Sequence, residues 1–134
     1  IADAARDGVM VDACDGRAGV GTVVRPREAN LGARRLWIAF AVGSSGRVTV
    51  DAGARRALEE RRVSLLPAGV VAVDGTYEAG AAVEVCDPSG SVFAKGIVRH
   101  DSVMLRANAG RRTGDLPDGM AHEAIHADDL VVLP

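Results

Sequence analysis

Near the end of the chain His122, Glu123 and His126 spell HExxH, which on one face of a helix supplies two zinc ligands and a general base. A protease of that kind needs the helix to continue and, in one class, a third histidine six residues on. Val132 stands there, eight residues follow His126, and the segment runs into an apolar strand pattern. The motif therefore reads as a solvated turn beside the last strand. Gly16, Gly19, Gly21 and Thr22 imitate a phosphate-cradling loop, but the Walker lysine is missing and the glycines precede a strand pattern, not a helix. Ser64, Ser89 and Ser102 lack a G-x-S-x-G setting, and His100, His122 and His126 have no spacing that specifies a Ser/His/Asp site. No catalytic residue and no metal ligand is assigned. What is left is arginine. Arg55 with Arg56 and Arg61 with Arg62 lie six residues apart on one short predicted helix, and Arg111 with Arg112 lies in a later loop. Guanidinium forks match phosphate oxygens. The competing reading is a solvated face on which Glu59 and Glu60 pair locally.

These residues need elements to position them. Val48 and Val50 alternate with Arg47 and Thr49, which predicts a half-buried strand, and Asp51 is placed to cap the helix that follows. Ala54 to Arg62 carries Ala54, Ala57 and Leu58 on one side, so it reads as a short amphipathic helix. Leu65, Leu66, Pro67, Ala68 and Gly69 break it with an apolar turn, after which Val70 to Val73 resumes as a strand. Gly80 to Cys86 and Val92 to Arg99 predict a hairpin closed by Asp87, Pro88, Ser89 and Gly90, so a β meander is expected in the middle. Asp101 to Ala109 reads as helix, Gly110 to Gly119 as turns, and Leu130 to Leu133 as a terminal strand. Upstream, residues 1 to 18 suit a short helix broken at Gly8, Val20 to Val24 reads as a strand, and Arg25 to Gly32 as a linker; Ala33 to Val42 fits helix or strand equally. The sum is an α+β domain around a small antiparallel or mixed barrel.

A chain of 134 residues with 48% hydrophobic and 25% charged side chains can bury a real core. The longest apolar run, Leu36 to Val42, is far below the ~20 residues that span a bilayer. A net charge of -2, from 16 bases against 18 acids, speaks against a dedicated nucleic-acid coater. Cys14 and Cys86 lack CxxC spacing, so neither a disulfide framework nor a zinc knuckle has a basis, and a reducing, cytoplasmic setting without membrane contact is expected. Because the chain opens on Ile1, a piece of a longer polypeptide is expected.

The run Val-Thr-Val-Asp-Ala-Gly-Ala from Val48, followed by Ser-Leu-Leu-Pro-Ala-Gly-Val from Ser64 to Val70, resembles the C-terminal PUA domain of bacterial glutamate 5-kinases. The flanking pieces agree. Gly21-Thr22-Val23, Arg25-Pro26 and Ala33-Arg34-Arg35-Leu36-Trp37-Ile38 resemble the join between the amino-acid kinase domain and that PUA domain. Gly80 to Val85, Ala94 to Val98, Gly110 to Thr113 and Ile125 to Leu130 fall where the family has GDVVEV, ArGlV, GRRS and VHRDDL segments, with Ala81 in place of an Asp, Ala127 in place of an Arg and a shortened loop from Asp115 to Ala121.

The resemblance implies a PUA-like mixed β pseudo-barrel with short helices over residues 46 to 134, a linker and connecting helix over 26 to 45, and a kinase-domain tail over 1 to 25. It implies a parent that moves the ATP γ-phosphoryl group to the side-chain carboxylate of L-glutamate, the first step towards proline, with ATP and Mg²⁺ held outside these residues. The fragment itself would then be accessory and bind no cofactor, its partners being its own kinase domain and further copies of the subunit. A free-standing RNA-binding PUA protein is the alternative. The resemblance places weak RNA contact on the first helix and its glycine turns, with Gly53, Arg55, Arg56, Arg61, Arg62, Leu66, Pro67, Gly69, Arg111 and Arg112 as candidates. The expected core is Val48, Val50, Leu58, Leu66, Val71, Val73, Val83, Val85, Phe93, Ile97, Leu130 and Val132, taken from strand alternation and the apolar side of the helix.

Overall fold

The structure, a computed structural model, describes residues 1–24 and 32–133. Contacts divide it into two units, Ile1–Asn30 and Leu31–Pro134. The predicted linker, Arg25 to Gly32, lies in part outside the described residues, over 25–31.

In the first unit the helix α1 spans Val9–Cys14 and starts at Gly8, whose left-handed φ of 71° marks the break seen in the sequence. Val20 to Val24 is not a strand. Gly21 makes a single antiparallel bridge with Ala2, and the Thr22 N–H donates to the Ile1 carbonyl at 2.8 Å. A lone bridge leaves Val23 and Val24 exposed, since among the described residues no partner strand covers them.

The second unit opens with α2, Ala33–Leu36, which runs into a π-helical turn at Trp37–Ala41. Helix therefore wins in the segment whose pattern suited either state. It buries Ile38 completely and packs on strands of the sheet described next. The five strands are β1 Gly46–Val50, β2 Val70–Gly75, β3 Ala82–Cys86, β4 Val92–Val98 and β5 Ile125–Val132. Their order is β2-β1-β3-β4-β5, every pair antiparallel except β1 with β3. A meander would keep chain order. Here β2 instead turns back to the outer edge of β1, and the chain crosses over to place β3 parallel on the other side. The sheet is mixed and stays open, with β2 and β5 as its edges, although Leu65 bridges Ile125 across one corner. It is PUA-like in class without a closed barrel. Two helices pack with it: α3, Ala52–Arg61, and α4, Ser102–Asn108.

The core lies between these helices and one sheet face: Leu58 of α3 and Leu105 of α4 meet Val48, Val50, Val83, Val85, Val98, Ile125 and Leu130. Two expected members are wrong. Val71 is 59% exposed because β1 and β2 slip register between Thr49 and Val50, so that Val70 faces Val50 and Ala72 faces Thr49. Val71 is the extra residue of a bulge, and Val70 takes the buried position. Leu66 is 40% exposed, whereas Leu65, bonded to Ile125, is buried at 1%. Ile97 and Val132 are half-buried. Phe93 sits in a second bulge, between the pairs Cys86–Val92 and Val85–Ala94, and is buried.

Candidate nucleic-acid interface

The helix α3 starts where the sequence places its cap: the Asp51 carboxylate accepts the Ala54 N–H at 2.7 Å, satisfying a donor that the first turn leaves open. Pro67–Gly69 forms a single 3₁₀ turn that returns to this start, and the Asp51 N–H donates to the Gly69 carbonyl at 3.0 Å. Gly69 is required there. A Cβ on it would lie 2.6 Å from the Ala54 Cβ, so only glycine lets turn and helix approach this closely.

Between them lies a groove of about 380 Å³ lined by Gly53, Ala54, Ala57, Ser64, Leu66 and Gly69 among others. Ser64 is fixed by its hydroxyl, which accepts the Ala127 N–H of β5 at 3.0 Å. The groove is lined mostly by apolar residues, with Asp51 and Ser64 as its polar ones. Pro67 is buried beneath the turn, and its carbonyl accepts the Gly110 N–H at 2.8 Å. That bond holds the loop with Arg111 and Arg112, both exposed, next to the turn. By helical spacing Arg61 follows Ala57 by one turn and Arg56 follows Gly53 by three residues, so both flank the groove.

The other two arginines are placed differently. Arg55 donates to Glu59 at 3.1 Å and to Asp87, and its guanidinium stacks over Phe93 at 5.1 Å from the ring centre. Asp87 is in turn the anchor of the β3–β4 turn: it accepts the Ser89 hydroxyl at 2.6 Å and the Ser89 and Ser91 N–H groups at 2.9 and 3.0 Å. These bonds, the Ser89 hydroxyl foremost, together with Arg55, hold the Asp87 carboxyl below the usual range. Arg55 thus ties α3 to a hairpin. Arg62 closes α3 in the left-handed region, φ 51°, and lines an adjoining cleft with Arg35 and Glu59, sharing Leu58 and Val63 with the groove. Of the candidates, Gly53, Leu66 and Gly69 line the groove, Pro67 supports it, Arg56, Arg61, Arg111 and Arg112 surround it, and Arg55 and Arg62 serve other places.

Sequence reasoning missed Asp87 and Phe93 as the partners of Arg55. The only local signal was Asp87-Pro88-Ser89-Gly90, which announces a turn and not an ion pair with a helix 32 residues earlier. The HExxH residues lie at the entry to β5 and on it, where His126 Nδ1 accepts the Asp128 N–H at 3.2 Å, so the helix face a zinc site needs is not formed. Among the described residues no three His, Cys, Asp or Glu side chains group as a metal site.

Comparison with known proteins follows the same outline. Residues 46–117 match the family model described as the PUA domain. Over 118 residues the chain is 46% identical to a glutamate 5-kinase of Mycolicibacterium gilvum (strain PYR-GCK), covering 88% of this chain and 32% of that protein. It is 44% identical over 116 residues to a glutamate 5-kinase of Mycobacterium ulcerans (strain Agy99), covering 87% of this chain and 32% of that one. The chain therefore spans about a third of the length of these curated relatives. Among solved structures, a PUA domain from Aeropyrum pernix K1 aligns with a TM-score of 0.46 and 28% identity over 67% of this chain and 47% of the other.

Proposed function

The chain belongs to the PUA domain family, and from that premise we propose that it is the accessory PUA module of a glutamate 5-kinase. One observation carries the reading: the 118 aligned residues at 46% identity exceed the 46–117 span of the domain itself, so the likeness is to these kinases and not to PUA domains at large. The parent would transfer the ATP γ-phosphoryl group to the side-chain carboxylate of L-glutamate, giving glutamyl 5-phosphate and ADP on the way to proline, in the cytoplasm.

Two observations among the described residues support placing ATP and Mg²⁺ outside this chain. Phosphoryl transfer needs a backbone phosphate cradle and acidic metal ligands, whereas Gly16, Gly19 and Gly21 open no helix and no acidic cluster forms. The chemistry is therefore assigned to the part of such an enzyme that lies outside this chain, and the kinase portion and further copies of the subunit are the proposed partners. Coupled ADP-release assays test this. A longer protein carrying this chain should release ADP when glutamate is added, and the purified 134-residue chain should not. Glutamate-dependent release from the chain alone, abolished by mutation within it, overturns the reading. So does a longer protein that is inert towards glutamate.

A second reading, weak RNA binding at the groove, is favoured by the Gly110–Pro67 bond, which brings Arg111 and Arg112 beside a glycine turn. Close backbone approach and arginine forks are what phosphates need.

A further inference from the structure

The chain has two phenylalanines, one tyrosine and one tryptophan, and two of these aromatic side chains stand in solvent on one short element. Along α2 and its π-helical turn Leu36, Trp37 and Phe40 are 46%, 50% and 64% exposed. Phe40 follows the other two by three and four residues, so the three share a face. The opposite face is fastened to the sheet. Ile38 is fully buried where the turn packs on β4 and β5. Arg34 pairs with Asp129 at 2.7 Å, Arg35 donates to the Ala127 carbonyl at 3.1 Å, and the Lys95 ammonium donates to the Val42 carbonyl just past the turn. The helix is a fixed platform whose apolar outer face its own domain does not use. We propose that this face docks the kinase portion of the parent enzyme, an inference that rests on the kinase reading above and assigns residues to that contact.

Position and area favour this occupant over a second copy. The helix lies outside the 46–117 span matched as a PUA domain. An alignment that leaves out 16 of 134 residues must still contain residues 17–118, and the helix with them. The face therefore belongs to what this chain shares with glutamate 5-kinases and not to what makes a PUA domain. The aligned part is 32% of such an enzyme, so ample chain outside it is available as cover.

Burying the exposed parts of three side chains, each with a surface on the order of 200 Å², removes about 300 Å² from water. A patch of that size on a monomer is often functional. A stable pair of separate proteins buries ~800 Å² on each partner, so two copies meeting here alone fall well short. A tethered partner needs no such area, because its effective concentration is in the ~mM range. The matching surface has to be apolar, with pockets for an indole and a phenyl ring, since buried aromatic anchors carry most of the energy of such contacts.

Trp37 is the only tryptophan of this chain and reports on the face. In the 134-residue chain acrylamide should quench its fluorescence freely. In a longer protein carrying this chain, the emission lost on Trp37→Phe isolates the same residue, and that emission should be shielded severalfold. Phe40→Ser changes an exposed position, so it should leave the Tm of the 134-residue chain unaltered. In the longer protein it should restore the quenching of Trp37 and lower the Tm by a few degrees. Three outcomes overturn the proposal. Trp37 is as accessible in the longer protein as in the chain alone, or Phe40→Ser leaves it shielded there. In the third, the 134-residue chain shields Trp37 by itself in a dimer, seen in sedimentation and lost in Phe40→Ser, which gives the face to a second copy. Glutamate-dependent ADP release is read separately. Shielding without release sinks the kinase reading and keeps the docking face, and release without shielding sinks the docking face alone.

Discussion

Gly69→Ala tests the geometry of the groove directly. The new methyl group would stand 2.6 Å from the Ala54 Cβ and 3.6 Å from the Leu65 Cδ1. Carbon atoms settle at ~3.5–4.0 Å, so the 3₁₀ turn has to retreat from α3 by about 1 Å. Retreat stretches the Asp51–Gly69 bond, 3.0 Å in the native fold, at a helix start that depends on its cap. Overpacking of this kind costs ~1–3 kcal/mol and a weakened backbone bond adds up to about 1 kcal/mol. A loss of about 2 kcal/mol in a domain near 100 residues lowers Tm by roughly 8–16 °C. Thermal denaturation followed by circular dichroism reads this out. The decisive control is Ala54→Gly, which removes the atom struck and costs ~1 kcal/mol alone as a helical glycine. In the double variant the two losses should fall short of additivity by about 1–2 kcal/mol. An unchanged Tm in Gly69→Ala, or strictly additive losses in the pair, refutes the close approach of turn and helix.

Other outcomes follow from burial and ionisation. Leu65→Ala should cost ~2–5 kcal/mol and Leu66→Ala under ~1 kcal/mol in chemical denaturation, and the reverse order would show that the turn has the opposite phase. Tyr77 is the only tyrosine, buried with its hydroxyl unpartnered, and burial pushes its pKa up to about 12. The neutral phenol is the folded form, so its contribution is complete below the ordinary value near ~10 and is lost as pH rises towards 12. Ultraviolet titration should show phenolate appearing only with unfolding, and reversible ionisation near pH ~10 with the fold intact would contradict the burial. Asp87 is shifted the other way, so its stabilising effect is present above the ordinary carboxylate range near ~4 and is lost as pH falls below it. Asp87→Asn should flatten the acid limb of the stability curve, and an unaltered limb would remove Asp87 from it.

The parts of the fold written in local order were legible. The Asp51 cap, the Leu58 side of α3 and the Asp87 to Gly90 hairpin each depend on residues a few positions apart, and each is present. What failed depends on partners far along the chain. Val71 alternates correctly with its neighbours and still faces solvent, because the bulge is set by β1 and is invisible in β2 alone. Leu65 and Leu66 are the same residue type, and only a bond to Ile125 decides which one is buried. Strand order was misread for a similar reason: a hairpin is announced by its turn, but a parallel crossover has no local signature. The candidate site divides along the same line. Gly53, Leu66 and Gly69 come from one continuous segment and line one groove, whereas Arg55 was legible as a charge and not as the partner of Asp87 and Phe93.

That division sharpens the RNA reading into numbers. With Arg55 tied to the hairpin and Arg62 on the other cleft, four arginines, Arg56, Arg61, Arg111 and Arg112, remain around the groove. Each phosphate neutralised on a single strand contributes about -0.7 to the slope of log K against log salt, so full engagement gives a slope of roughly -3. Removing Arg111 and Arg112 together should bring it to about -1.4, whereas Arg55→Ala should lower thermal stability, by freeing the β3–β4 turn from α3, with the slope unchanged. Fluorescence anisotropy with single-stranded RNA at several salt concentrations, beside thermal denaturation of each variant, measures both. If Arg55→Ala changes the slope by a full phosphate while the Arg111 and Arg112 pair leaves it unaltered, the groove has been placed on the wrong side of α3. If no binding is seen even at low salt, the arginines are a solvated face and the RNA reading falls.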